Sequence, residues 1–201
     1  FDGSLNAKSS NLASLPQEWG VPVSEGSAIL SGKVSGTDPV FDFDGQATLS
    51  EISLPPLSVN SGDWEIVVKD LLGDWGVSAN AKGGGLNLRG LDLGNYRFEG
   101  VAGADYARVH SFHSTLGDTT ISARGQATYQ DSLSSYYIPE FTINVEGSSW
   151  QLENPVMLEF SPETVAVDSF AIASEFGALR CAGTIDRSSD LLDGSLFLTG
   201  F

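Results

Sequence analysis

Phe41-Asp42-Phe43-Asp44-Gly45-Gln46-Ala47-Thr48-Leu49 decides the fold, because its odd positions are apolar or small and its even positions acidic or polar. Alternation with a period of two puts every second side chain on one face of an extended strand, so the segment reads as a strand buried on one side only. The pattern recurs along the chain. Trp64, Ile66 and Val68 stand against Glu65 and Lys69, and Trp75, Val77, Ala79 and Ala81 against Ser78, Asn80 and Lys82, with a hairpin predicted around Asp70 to Asp74. Leu86 and Leu88, Leu91 and Leu93, Tyr96 and Phe98, Ala107 and Val109, then Ile121, Ala123, Ala127 and Tyr129 continue it. The last third repeats it from Phe141, Ile143 and Val145 to Leu196 and Leu198.

The spacing predicts roughly fourteen to sixteen strands, the signature of an all-β fold. Only Ser10 to Leu15, with Ser10 as N-cap and Pro16 as stop, reads as helical. Alternating segments also end in or contain a glycine, as in Leu30-Ser31-Gly32, Leu88-Arg89-Gly90, Ala123-Arg124-Gly125, Cys181-Ala182-Gly183 and Leu198-Thr199-Gly200. Such glycines suit bulges and tight curvature.

Composition bounds what such a sheet can do. With 41% hydrophobic and 18% charged residues among 201, the chain can bury a substantial apolar face. A formal net charge of -16, from 26 acidic and 10 basic residues, disfavours nucleic acid and anionic membrane surfaces as partners. The single cysteine, Cys181, excludes an internal disulfide framework. No apolar run approaches the roughly 18 residues of a membrane span. The start at Phe1-Asp2-Gly3 lacks a basic n-region, so the expectation is a piece of a longer protein whose anchor lies elsewhere.

Chemistry-bearing residues give little. His110 and His113 are the only histidines, and on a regular strand their odd separation points them to opposite faces, against a shared metal. Asp42 and Asp44 share a face but fall short of a calcium ligand set. Gly83-Gly84-Gly85 lacks the following Lys-Ser or Lys-Thr of a phosphate loop and reads as a turn between strands. Cys181 reads as a small core residue, with Arg180 on the opposite face. No nucleophile elbow occurs, and the expectation is a non-catalytic protein without metal or cofactor.

Many one-sided strands with almost no helix leave the apolar face to be covered by a second sheet, by curling of the same sheet, or by a ligand. A sandwich, a closed barrel and an open curled sheet satisfy that need differently. Alternation alone favours an ordinary filled core.

The order of short motifs points elsewhere. Phe1-Asp2-Gly3-Ser4-Leu5-Asn6-Ala7, the short Asn11–Leu15 segment, Gly26-Ser27-Ala28-Ile29-Leu30-Ser31-Gly32-Lys33-Val34-Ser35-Gly36 and Phe43-Asp44-Gly45-Gln46-Ala47-Thr48-Leu49 follow one another as strand, helix and an L-x-G-x-x-x-G unit. Later, Ala107-Arg108-Val109-His110 runs to Gly125, and Trp150-Gln151-Leu152-Glu153-Asn154-Pro155 precedes Val165-Ala166-Val167 and Leu179-Arg180-Cys181-Ala182-Gly183. In this order they resemble the repetitive β-rich region of TamB-like proteins, the translocation and assembly module subunits grouped with the AsmA-like family. The resemblance spans nearly the whole chain.

It implies a β-taco, a long U-shaped sheet with an apolar lumen, with residues 1–201 as one continuous middle segment of a larger envelope protein. That parent would be anchored in the inner membrane and cross the periplasm to an outer-membrane barrel partner, engaged through regions outside this chain. The implied role is phospholipid transport in support of outer-membrane biogenesis.

The physics of an acyl chain suits such a lumen. Each buried methylene is worth about 0.8 kcal/mol, so a sixteen-carbon chain needs on the order of 12 kcal/mol of apolar contact in place of membrane. Strands about 4.8 Å apart make fourteen of them a trough on the order of 65 Å long. The expected lining is Phe41, Phe43, Trp64, Ile66, Trp75, Val77, Phe98, Ile121, Phe141, Ile143, Trp150, Leu158, Phe160, Val167 and Leu179. Two other classes compete with it. A scaffold for outer-membrane protein assembly would use sheet edges for strand augmentation. A secreted carbohydrate-binding sandwich would present Trp19, Trp64, Trp75 or Trp150 on an outer platform.

Overall fold

A computed structural model describes residues 1–12, 25–54, 56–70, 72–130, 132–186 and 191–200. They form fourteen strands. The first seven are β1 (Asp2–Ser9), β2 (Glu25–Thr37), β3 (Val40–Leu54), β4 (Leu57–Lys69), β5 (Gly76–Leu88), β6 (Leu91–Gly103) and β7 (Tyr106–Leu116). Then come β8 (Thr119–Gln130), β9 (Leu133–Val145), β10 (Ser148–Leu152), β11 (Val156–Phe160), β12 (Thr164–Ser174), β13 (Gly177–Asp186) and β14 (Leu191–Thr199). The described residues contain no α-helix, and the helix expected at Ser10–Leu15 falls partly on residues 13–15, outside them.

All fourteen strands belong to one antiparallel sheet in chain order, and β1 and β14 are its two edges. The departure from a simple meander is that β10 and β11 share one place between β9 and β12. They are two halves of a strand interrupted at Glu153-Asn154-Pro155. Pro155, and Pro139 in β9, lack the N–H that a ladder needs, which accounts for a break there. Two of the connections are turns with consecutive left-handed residues, Arg89-Gly90 at φ 52° and 87° and Glu146-Gly147 at 49° and 86°. That mirror-image turn matches the twist of the strands it joins.

Partners across an antiparallel pair share a face, so the register traces rows across the sheet. One row crosses it almost from edge to edge: Gly3, Val34, Phe43, Val68, Val77, Ala102, Ala107, Ala127, Tyr136, Leu158, Val167, Gly183 and Gly194. The neighbouring row begins at Leu5 and runs through Gly32, Gly45, Ile66, Ala79, Gly100, Val109 and Gly125. Where that row leaves its small residues it meets irregularities. The pairing slips at His110-Ser111 in β7, at Ile138-Pro139 in β9 and at Asp168-Ser169 in β12. A bulge bends its strand and glycine permits close backbone approach, so this line is the crease along which the sheet curls.

The glycines of the crease also seat aromatic rings. A methyl group built on Gly32 would stand 2.6 Å from Phe43 Cε2, and one on Gly100 would stand 2.6 Å from Phe98 Cζ. Phe43 thus lies over Gly32 of the neighbouring strand and Phe98 over Gly100 of its own, positions that have no side chain.

Two sequence expectations are corrected. Gly83-Gly84-Gly85 is no turn but part of β5, with only Gly85 left-handed at φ 65°. His110 and His113 both face outward, because the extra residue of the β7 bulge reverses the alternation between them.

Candidate functional site

The inner face of the curled sheet is the candidate site. Beside the row through Phe43 runs another: Leu30, Ala47, Trp64, Ala81, Phe98, Phe112, Ala123 and Phe141. A third holds Leu49, Gly62, Gly83, Tyr96, Ser114, Ile121, Ile143 and Trp150. No charged side chain stands in these rows. The charges of the same strands alternate onto the other face, where Lys69 meets Asp42 at 2.6 Å, Arg124 meets Glu140 at 3.3 Å and Arg180 meets Glu153 at 2.6 Å.

Hydrogen bonds from the Lys69 ammonium and the Asp70 backbone N–H hold the Asp42 carboxyl below its ordinary value. Arg180 does the same for Glu153, donating from Nε and Nη2 at 2.8 and 2.6 Å. These exposed pairs tie β4 to β3 and β13 to the β10–β11 link, at little net gain.

The inner face is sparsely covered. Apart from alanines, Phe43, Ile52, Val59, Leu86, Tyr96 and Val156 are the buried hydrophobic residues among the described ones. A compact monomer of 21.2 kDa exposes roughly 9,100 Å². This chain exposes 12878 Å², as expected of a sheet curled around an open trough instead of a filled core.

One open stretch of the inner face spans β6 to β11. It is a groove of about 580 Å³ lined by Phe98, Val109, Phe112, Ala123, Tyr136, Ile138, Phe141, Leu158 and Phe160, among others. Its wall carries aromatics packed edge to face, with Tyr129 edge-on to Tyr136 at 6.4 Å and Tyr136 edge-on to Phe160 at 5.2 Å. Burial first, then Tyr136 beside it, pushes the Tyr129 phenol up.

Toward β4 the inner face closes. Val59, Ala81, Leu86 and Tyr96 form a buried cluster, against which Trp64, Leu93, Phe98 and Phe112 pack. Burial raises the Tyr96 phenol, and the Trp64 N–H beside it opposes that shift without closing a hydrogen bond.

The lining expected from sequence distributes over this surface. Phe43, Val77, Leu158 and Val167 share the long row; Trp64, Phe98 and Phe141 share the second; Ile121, Ile143 and Trp150 share the third. Ile66 sits on the crease, Leu179 pairs with Ile172, and Phe41 and Phe160 lie two residues along from Phe43 and Leu158. Trp75 stands apart, 42% exposed in the turn before β5. Trp19 lies outside the described residues.

Val59, Leu86, Tyr96, Phe112, Tyr136 and Ile138 belong to the same surface but were not expected there. A bulge separates Phe112 from Val109, and left-handed Gly85 precedes Leu86, so simple parity misplaces both. Tyr136-Tyr137-Ile138-Pro139 carries no alternation at all.

Among the described residues no group of three or more His, Cys, Asp or Glu could hold a metal ion. No family model, curated protein or solved structure matches the chain.

Proposed function

We propose that this chain is a non-catalytic, lipid-conducting segment that carries phospholipid acyl chains along its apolar inner face. The observation that carries the reading is the set of uncharged rows, unbroken from β2 to β9, opening into a groove of about 580 Å³. That size lies within the roughly 300–1,000 Å³ of ligand clefts, and an acyl chain has no polar group for which the missing charges would matter. The open seam keeps a phosphate headgroup hydrated while the tails are buried, which avoids the cost of desolvating a charge.

The motif order that resembles TamB-like proteins adds the setting: the periplasm, a parent anchored in the inner membrane, and an outer-membrane barrel partner. Native mass spectrometry of gently purified protein tests the reading. Retained phospholipid is expected, and photo-crosslinkers at Phe141 or Ile143 should capture it. Equal capture at the outward Asp42 or Thr142 would sink the proposal.

The edge strand β14 favours a second reading, a scaffold that accepts a client strand. Its Leu196, Phe197 and Leu198 are all more than half exposed, on both faces of an unpaired edge. Such an edge invites augmentation. Crosslinks from β14 to unfolded barrel proteins, with no lipid in the trough, would prefer it.

A further inference from the structure

The inner face is covered unevenly along its length, and the closed part has an identifiable origin. Left-handed residues recur at one level of the sheet in β3, β5 and β6: Glu51 at φ 54°, Gly85 at 65° and Gly94 at 70°. Asn60 of β4 stands between them: it lies between Val59 and Ser61, which pair with Ile52 and Ser50 on either side of Glu51, and a methyl group on Gly85 would collide with Asn60 Nδ2. A left-handed residue reverses the alternation beyond it. Val59 and Leu86 lie beyond it and close over the inner face, 5% and 6% exposed.

Beneath them lies Tyr96, 5% exposed, with its ring across neighbouring strands. A methyl group on Gly83 would stand 2.7 Å from Tyr96 Cε1, and one on Gly62 would stand 2.8 Å from Trp64 Nε1. Two glycines on adjacent strands thus provide the slot for two aromatic rings. Phe98 packs against this cluster and also lines the open groove, so the groove ends at the cluster.

The closure carries a cost. Tyr96 OH and Trp64 Nε1 are buried without a hydrogen-bond partner. Buried polar groups lacking partners oppose the state that buries them, whereas an opened cluster would return both to water or to a polar group of a ligand.

We propose that this cluster is a constriction in the trough, with Tyr96 as the movable part, which an acyl chain must displace to pass from the β6–β11 section into the β3–β5 section. The proposal rests on the lipid-conducting reading and adds to it a point of control. A minor open state populated at about 0.1–10% lowers apparent affinity for the far section by that fraction. Removing the ring should therefore raise occupancy there by about tenfold or more.

The test is photolabelling with diazirine-bearing palmitate, with adducts mapped by peptide mass spectrometry in the wild-type chain, Tyr96→Ala and Tyr96→Phe. Wild-type adducts should be confined to residues 98–160. Tyr96→Ala should add labelling around Val59 and Leu86, while Tyr96→Phe keeps the confined pattern and melts at a higher temperature, because the ring stays and the unpartnered hydroxyl goes. Even labelling of both sections in the wild type would overturn the constriction. So would a folded Tyr96→Ala chain labelled only at residues 98–160, or a Tyr96→Phe chain with an unraised melting temperature. If Tyr96→Ala loses its β circular dichroism, Leu86→Ala is read in the same way. Absence of adducts from the inner face of every folded chain would instead remove the lipid reading beneath it.

Discussion

Placing a carboxylate at Phe141 and at Leu86 separates an open trough from a filled core. Phe141 lies in the open groove and is half-buried, whereas Leu86 is in the closed cluster. Fully burying a Phe side chain is worth about 1.5–3 kcal/mol, so losing the half-buried ring in Phe141→Asp should cost about 1–2 kcal/mol while the new carboxylate stays hydrated. With a urea dependence of about 2 kcal/mol per molar, the unfolding midpoint should fall by about 0.5–1 M. Leu86→Asp loses about 2–5 kcal/mol of packing and adds several more for an unpaired buried charge, which rivals the total stability of a domain, about 5–15 kcal/mol. It should lack a folded baseline. The assay is urea unfolding followed by tryptophan fluorescence, together with phospholipid analysis of the folded variant. Phe141→Asp should fold and lose lipid. Equal loss of folding in the two variants would refute the open trough.

Three further outcomes are expected. Gly100→Ala places a methyl group 2.6 Å from Phe98 Cζ and 2.7 Å from the Arg108 carbonyl oxygen, so thermal unfolding followed by circular dichroism should show a loss of about 1–3 kcal/mol. Asp42 is held below its ordinary value of 3.8, so its pairing with Lys69 stabilises the fold above that pH and is lost as pH falls through the lowered value. Asp42→Asn should therefore flatten the acid limb of a stability–pH curve below about pH 4, and an unchanged limb would show that the pair contributes nothing. Phe197→Lys puts a charge on the exposed β14 edge and should reduce concentration-dependent association in sedimentation velocity runs.

The strands were legible because alternation is a local property. Phe41 to Leu49 announces β3 by itself, and the count of fourteen strands falls within the expected range. What alternation could not reveal is where it is interrupted. His110-Ser111 looks like any other pair of strand residues, yet it shifts Phe112 onto the face of Val109. Gly83-Gly84-Gly85 looks like a loop because glycine is a common turn residue, but here the missing side chain at Gly83 makes room for the ring of Tyr96 from the next strand. The constriction was illegible for the same reason. It depends on left-handed residues in three strands falling at one level of the sheet, and no window along the chain contains all of them.

The chain-order pairing of the strands makes length an adjustable quantity. Each strand's backbone pairs only with its immediate neighbours, so stability is close to a sum of local terms and one part of the sheet can open while the rest holds. Inserting or deleting one hairpin would change the span by about 9.5 Å and leave the register of every other pair intact. In a molecule built this way the number of hairpins sets the length of the sheet.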